Sequence, residues 1–268
     1  MIKLNLDFET YSEADLKRVG TRHYAEHPTT EALMLAWAVG DDPVEIWDIA
    51  RGEYMPCELQ KVLTQPNTLI SAFNATFERL IMENCIGWTI PAEQFRCSMV
   101  RAYGLSFSGS LDMVAQQFGL GVSKDPRGQA LIRRFSMPQP SSRKVGRWTW
   151  ENDPEGWEEF KQYCMQDVEV ERALMKKLEC YDYPEIEWDY YALDQKINDR
   201  GVPIDRKLVE AAVSIAAQEK KILLAKMREI TGLSNPNSGQ QLQAWLREQG
   251  LDLPDMTKET IAKVLEGL

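Results

Sequence analysis

Two carboxylates, Asp7 and Glu9, stand two residues apart near the N-terminus, in Lys3-Leu4-Asn5-Leu6-Asp7-Phe8-Glu9. The run reads as a β-strand over 3–9. Successive strand side chains alternate faces, so Asp7 and Glu9 point one way and Phe8 the other. Like charges side by side are unfavourable unless a cation sits between them, and hard divalent ions such as magnesium or manganese prefer such oxygens. The pattern therefore suggests a metal site. For an isolated Asp-x-Glu, two solvated acids at a strand end is the competing reading.

Two further acid signals follow. In Phe73-Asn74-Ala75-Thr76-Phe77-Glu78 a carboxylate lies four residues after an asparagine, at a junction where a short apolar strand gives way to helical spacing. Asn74 is placed to cap that helix, and Glu78 can face the crevice outside the strand ends. In Tyr163-Cys164-Met165-Gln166-Asp167 a phenol and a carboxylate four positions apart share one face of a helix. Taken singly, Glu78 reads equally as a surface acid, and Tyr163 with Asp167 as an ordinary amphipathic pair.

The elements that must position these groups are legible from punctuation and periodicity. Ala32 to Val39 and Val44 to Ile49 are apolar runs parted by Gly40-Asp41-Asp42-Pro43, which predicts that the first three strands form an antiparallel set. A short helix after Pro56, a buried strand over 68–73 and a helix over 75–85 come next. They are followed by a short strand near Phe95 and helices from Ser98, Ser110 and Gly128. A long helix opens at Pro154, with Glu155, Glu158 and Glu159 near its N-terminus. Strands come first, then helices alternate and dominate, so the fold class is α/β with a mixed sheet flanked by helices. A boundary is expected near 182, followed by an all-helical appendage over 183–268, punctuated by Gly201-Val202-Pro203.

The formal charge is −10 over 268 residues, which argues against a protein that simply coats phosphates. The charge is uneven, however. Between Lys124 and Trp150 the basic residues include Lys124, Arg127, Arg143, Lys144 and Arg147, and Asp125 is the only acid. Such a stretch, with Trp148 and Trp150 behind it, suits either a nucleic-acid backbone or a solvated loop. The five cysteines are scattered without a Cys-x-x-Cys pair, so neither a zinc site nor a disulfide framework is suggested. No long apolar span and no signal-peptide core occur, so a soluble, intracellular protein without a membrane partner is expected. His23 and His27 read as loop or surface residues.

Taken together and in order, the three acid stretches resemble the exonuclease motifs of the DEDDy family, 3′-5′ exonucleases with a ribonuclease H-like fold. The likeness is closest to the proofreading domain of phage-type family A DNA polymerases. Leu6-Asp7-Phe8-Glu9-Thr10 resembles the first motif, Asn74 to Glu78 the second and Tyr163 to Asp167 the third. Lys124-Asp125-Pro126-Arg127-Gly128-Gln129-Ala130-Leu131-Ile132 is similar to the segment that precedes the third. Ile197 to Asp205 and Asn235 to Leu242 resemble the entry into a polymerase thumb, and no segment resembles the palm or fingers.

The resemblance implies a metal-dependent exodeoxyribonuclease over 1–182 in an intracellular bacterial or phage setting, acting on single-stranded or frayed DNA 3′ ends for the remainder of the polymerase. Asp7, Glu9, Glu78 and Asp167 would hold two divalent ions, Mg2+ or Mn2+, with Asp7 shared. Tyr163 would orient the attacking water, because a phenol is a poor base at neutral pH. Asn74, Lys124, Arg143, Lys144 and Arg147 are candidates for contact with the nucleic acid. The second motif usually ends in aspartate, and Glu78 is one methylene longer. A non-catalytic DNA-holding domain and an exoribonuclease are the alternatives. The thumb-like segment speaks against the second, since a stand-alone ribonuclease has no need of it.

Overall fold

The computed structural model describes residues 1–107, 109–120, 127–140 and 146–266. The chain divides into two units, Met1–Gly201 and Val202–Leu268.

A five-stranded mixed sheet in the order β3-β2-β1-β4-β5 forms the centre of the first unit. Strand β1 (Ile2–Tyr11) lies in the middle. It pairs antiparallel with β2 (Glu31–Val39), which pairs antiparallel with β3 (Glu45–Trp47). On its other side β1 runs parallel to β4 (Thr68–Ala72), and β4 to β5 (Phe95–Cys97). This is a ribonuclease H-like α/β architecture, as the sequence suggested.

A central strand must serve two cores, and the alternation in β1 does so. Leu4, Leu6 and Phe8 enter the core on one face, with Leu35, Trp37, Ile70 and Phe95. On the other face lie Asn5, Asp7 and Glu9. Strand β2 is buried along nearly its whole length, which accounts for its unbroken apolar run.

Helices cover both faces. They are α1 (Leu16–Ala25), α2 (Cys57–Leu63), α3 (Ala75–Ile81), α4 (Ser98–Gly104), α5 (Leu111–Gln117), α6 (Gly128–Phe135), α7 (Pro154–Leu178) and α8 (Glu185–Arg200). The 25-residue α7 starts as its sequence requires: Asp153 caps it by accepting from the Gly156 N–H, and Pro154 occupies the first turn. Its buried face carries Trp157, Phe160, Cys164, Val168, Leu174 and Leu178, each large apolar side chain adding roughly 1.5–3 kcal/mol of burial. Asp48, fully buried after β3, accepts from Trp157 Nε1 at 2.9 Å and pairs with Lys161 Nζ at 2.8 Å, so α7 is tied to one edge of the sheet.

The expected boundary at 182 falls short of the edge of this unit. Trp188 and Tyr191 of α8 pack into the first core, and the unit continues to Gly201. The second unit is helical: α9 (Arg206–Thr231), α10 (Gly239–Glu248) and α11 (Lys258–Glu266). Among the described residues no helix is long and apolar enough to cross a membrane.

Candidate active site

Each acid reaches the site through a different local device. Asp7 and Glu9 share the α7-facing side of β1, with Glu9 buried and Asp7 partly so. Strand β4 pairs with β1 only as far as Asn5, so beyond it the Phe8 amide has no strand neighbour on that side. Glu78 takes this place: its Oε2 accepts the Phe8 N–H at 3.1 Å. The longer glutamate thus reaches the backbone between the two β1 acids.

Glu78 is delivered by a backbone device rather than by a side-chain cap. Asn74 adopts a left-handed conformation, φ 75° and ψ 49°, and its side chain makes no capping hydrogen bond. Asparagine tolerates this region better than most residues, and it turns the chain sharply from β4 into α3. The expectation of an Asn74 side-chain cap is corrected accordingly.

Tyr163 and Asp167 lie one turn apart on the buried face of α7. The Tyr163 ring stacks on Phe160 with centroids 6.2 Å apart and planes 7° from parallel, and Phe160 in turn stacks on Phe135 of α6. The Tyr163 hydroxyl donates to Asp167. Burial, then the charges of Glu9, Asp167 and Asp7, push its pKa far up, so the phenol stays protonated.

Glu78 shows how crowded the negative charge is. Burial first, then the charges of Asp7 and Glu9, raise its pKa well above the usual carboxylate range, against the opposing effect of the Phe8 N–H. Cys164 lies in the same pocket, where ligand atoms of Asp7, Glu9 and Cys164 fall within 4.8 Å of one another. Its Sγ lies 3.4 Å from the Asp7 carbonyl oxygen. Burial and the charges of Asp7 and Glu9 hold it as a neutral thiol, so it is a poor metal ligand. Nothing in the motif spacing singles it out; its adjacency to Tyr163 was the available clue.

Asp7, Glu9, Glu78, Tyr163 and Asp167 therefore converge, while the basic candidates divide. Lys124, Arg143 and Lys144 lie outside the described residues. Arg147 forms a two-pronged ion pair with Glu31, at 3.1 and 2.7 Å, and its guanidinium sits 3.7 Å over the Tyr11 ring. Asn74 lies half-buried at the β4–α3 turn.

A DNA polymerase of Bacillus phage SP02 is 42% identical over 269 residues, an alignment that takes in 99% of this chain and 42% of the relative. The chain is similar to a phage DNA polymerase. It spans less than half of that relative's length. Among solved structures, the POL domain of Pol1 from M. smegmatis, in complex with DNA primer-template and dNTP, superposes with a TM-score of 0.55. It shares 14% identity and covers 99% of this chain and 41% of that one. Brucella melitensis NrnC superposes less well, with a TM-score of 0.45 and 12% identity over 74% of this chain and 86% of that one. No protein-family model matches the chain.

Proposed function

We propose that this chain is the 3′-5′ exonuclease region of a family A, phage-type DNA polymerase, a DEDDy nuclease that removes nucleotides from single-stranded or frayed DNA 3′ ends. The observation that carries the reading is the convergence of Asp7, Glu9, Glu78 and Asp167, from three separate segments, around the neutral phenol of Tyr163. The similarity to a phage DNA polymerase supports it. In this reading the helical segment after Gly201 is the beginning of the polymerase thumb, and the junction moves from 182 to the edge of the compact unit.

The donor set suits hard divalent ions. It consists of carboxylate oxygens, and burial first, then the charges of Asp7 and Glu9, hold the pKa of Glu78 up. Asp7, Glu9, Glu78 and Asp167 would hold two ions, Mg2+ or Mn2+. When bound, such ions neutralise charge on the phosphodiester and make water a better nucleophile at neutral pH.

The chain's own groups do the rest. The Phe8 N–H fixes Glu78 against β1. Tyr163, protonated and held between Phe160 and Asp167, orients the attacking water and does not abstract its proton. The terminal nucleotide has to leave its duplex to reach a site set this deeply, and unstacking costs a few kcal/mol, least at a mismatch. Selection for mispaired ends follows.

The test is nucleotide release from 3′-labelled and 5′-labelled single-stranded DNA, and from RNA of the same sequence, with Mg2+, Mn2+ or chelator, for the wild type and Asp7→Ala. Stepwise shortening of DNA from the 3′ end that needs metal and Asp7 is expected. Retained folding and DNA binding without digestion would leave a DNA-holding domain, and faster loss of RNA would make the chain an exoribonuclease.

A further inference from the structure

Glu171 is a buried acid with no part in the chemistry above. It lies one turn beyond Asp167 on α7 and is 3% exposed. Its Oε2 accepts from Asn5 Nδ2 at 2.5 Å and its Oε1 from Ser71 Oγ at 2.8 Å, and it also hydrogen-bonds Ser98. One carboxyl group thus ties α7 to β1, to β4 and to the start of α4. Asn5, Ser71 and Ser98 are themselves buried.

Its position relative to the site is regular. Asn5 precedes Asp7 by two residues on the same face of β1, about 6.7 Å along the strand. Glu171 follows Asp167 by four residues on the same face of α7, about 6 Å along the helix. Helix and strand run in opposite senses, since Lys3 pairs with Glu179 and Asp7 meets Cys164. The Asn5–Glu171 contact is therefore a rung laid beside the site, with nearly the same spacing from Asn5 to Asp7 as from Glu171 to Asp167.

The apolar contacts of α7 cannot hold such a register alone. Val168, Val170 and Leu174 are buried, but apolar burial is non-directional, whereas hydrogen bonds weaken steeply when misaligned. A slip of one residue would move Asp167 by about 1.5 Å along the helix axis. The Asp48 tie to Trp157 and Lys161 fastens α7 to the β3 edge. The Glu171 cluster fastens it to the strand that carries two of the acids, together with the Cys164 thiol on the Asp7 carbonyl and the exposed Lys3–Glu179 pair at the helix end.

We propose that Glu171 is a positioning residue, which through Asn5 and Ser71 sets the register of α7 on β1 and so places Tyr163 and Asp167 against Asp7 and Glu9. The proposal rests on the exonuclease reading for the chemistry it serves. Its own content is geometric.

The experiment compares wild type, Glu171→Ala, Glu171→Gln and Asn5→Ala in three measurements. These are metal-free thermal melting, Mn2+ affinity by calorimetry, and kcat and KM for nucleotide release from single-stranded DNA. For Glu171→Ala, Mn2+ affinity should fall about 10- to 100-fold. Its kcat should fall about a hundredfold, with KM for DNA within about twofold. Glu171→Gln should remain near wild type, because an amide keeps the acceptor for Ser71 and Asn5 can turn its own amide to match. Should Glu171→Ala not fold, Asn5→Ala trims only the β1 half of the rung and is expected to shift Mn2+ affinity and kcat in the same direction.

A lower melting temperature with unchanged Mn2+ affinity and kcat would overturn the proposal and make Glu171 a packing residue. So would a well-folded Glu171→Gln as impaired as Glu171→Ala, or a wild type that binds no Mn2+. A wild type that releases no nucleotides while its Mn2+ affinity still depends on Glu171 would sink the exonuclease reading and leave the positioning role standing.

Discussion

Gly128 lies so close to Tyr163 that a β-carbon on it would stand 2.2 Å from Cε2 of the ring. The helix α6 can approach α7 at this point only because nothing projects from residue 128, and Phe160 confines the ring from another side. Gly128→Ala should therefore cost about 1–3 kcal/mol of stability through overpacking and lower kcat by displacing the phenol. In a Tyr163→Ala background the stability cost should vanish. Thermal melts of the four proteins check this, and an equal cost in both backgrounds would place the strain elsewhere.

Tyr163→Phe keeps the ring and removes the hydroxyl. Nucleotide release should slow by about a hundredfold at most, the cost of losing orientation rather than chemistry. The sign of the titration is also fixed. The phenol's pKa is raised above its ordinary 10.0, so the acid form persists through neutral and mildly alkaline pH. The wild-type pH–rate profile should show no limb from Tyr163 below pH 10, and a limb that disappears in Tyr163→Phe would make the phenolate the base.

Glu78→Gln should stabilise the metal-free protein at neutral pH. The folded-state pKa of Glu78 lies above its ordinary 4.5. Its contribution to stability is therefore fully present below pH 4.5 and is lost as pH rises and the unfolded chain ionises first. Melting curves of wild type and variant in chelator should converge in acid and separate toward neutrality, with the variant higher. Added Mn2+ should then raise the wild type more than the variant, reversing or narrowing the gap.

Arg147→Ala distinguishes a nucleic-acid contact from a structural one. With Glu31 engaged and Tyr11 beneath it, Arg147 should prove structural, costing about 0.5–1 kcal/mol through the lost stacking. The salt dependence of DNA binding should stay the same. A slope reduced by about one would instead assign Arg147 to a phosphate.

The scaffold was legible where one physical rule dominated. Alternation in β1, the unbroken apolar run of β2 and the proline that opens α7 each admit one economical reading, and the elements follow them. Reading failed where a residue's role depends on partners distant in sequence. Glu171 looks like any helix acid until Asn5 and Ser71 close on it, 166 and 100 residues away. The pairing of Arg147 with Glu31, 116 positions away, has no local signal either. Asn74 carried the right signal for a helix start, but local sequence does not separate a side-chain cap from a left-handed turn, since asparagine suits both.

The reach of the site along the chain bears on when it comes into being. The Asp7 carbonyl and the Cys164 thiol touch across 157 positions, and Asp167 lies further on still. A nascent polypeptide carries Asp7 and Glu9 well before α7 emerges, yet the acid set is complete only after α7 has been synthesised and docked on β1. Long-range closures of this kind form late. Until then the growing chain offers isolated acids and not the proposed hydrolytic centre, so assembly itself would withhold the proposed activity from half-made protein.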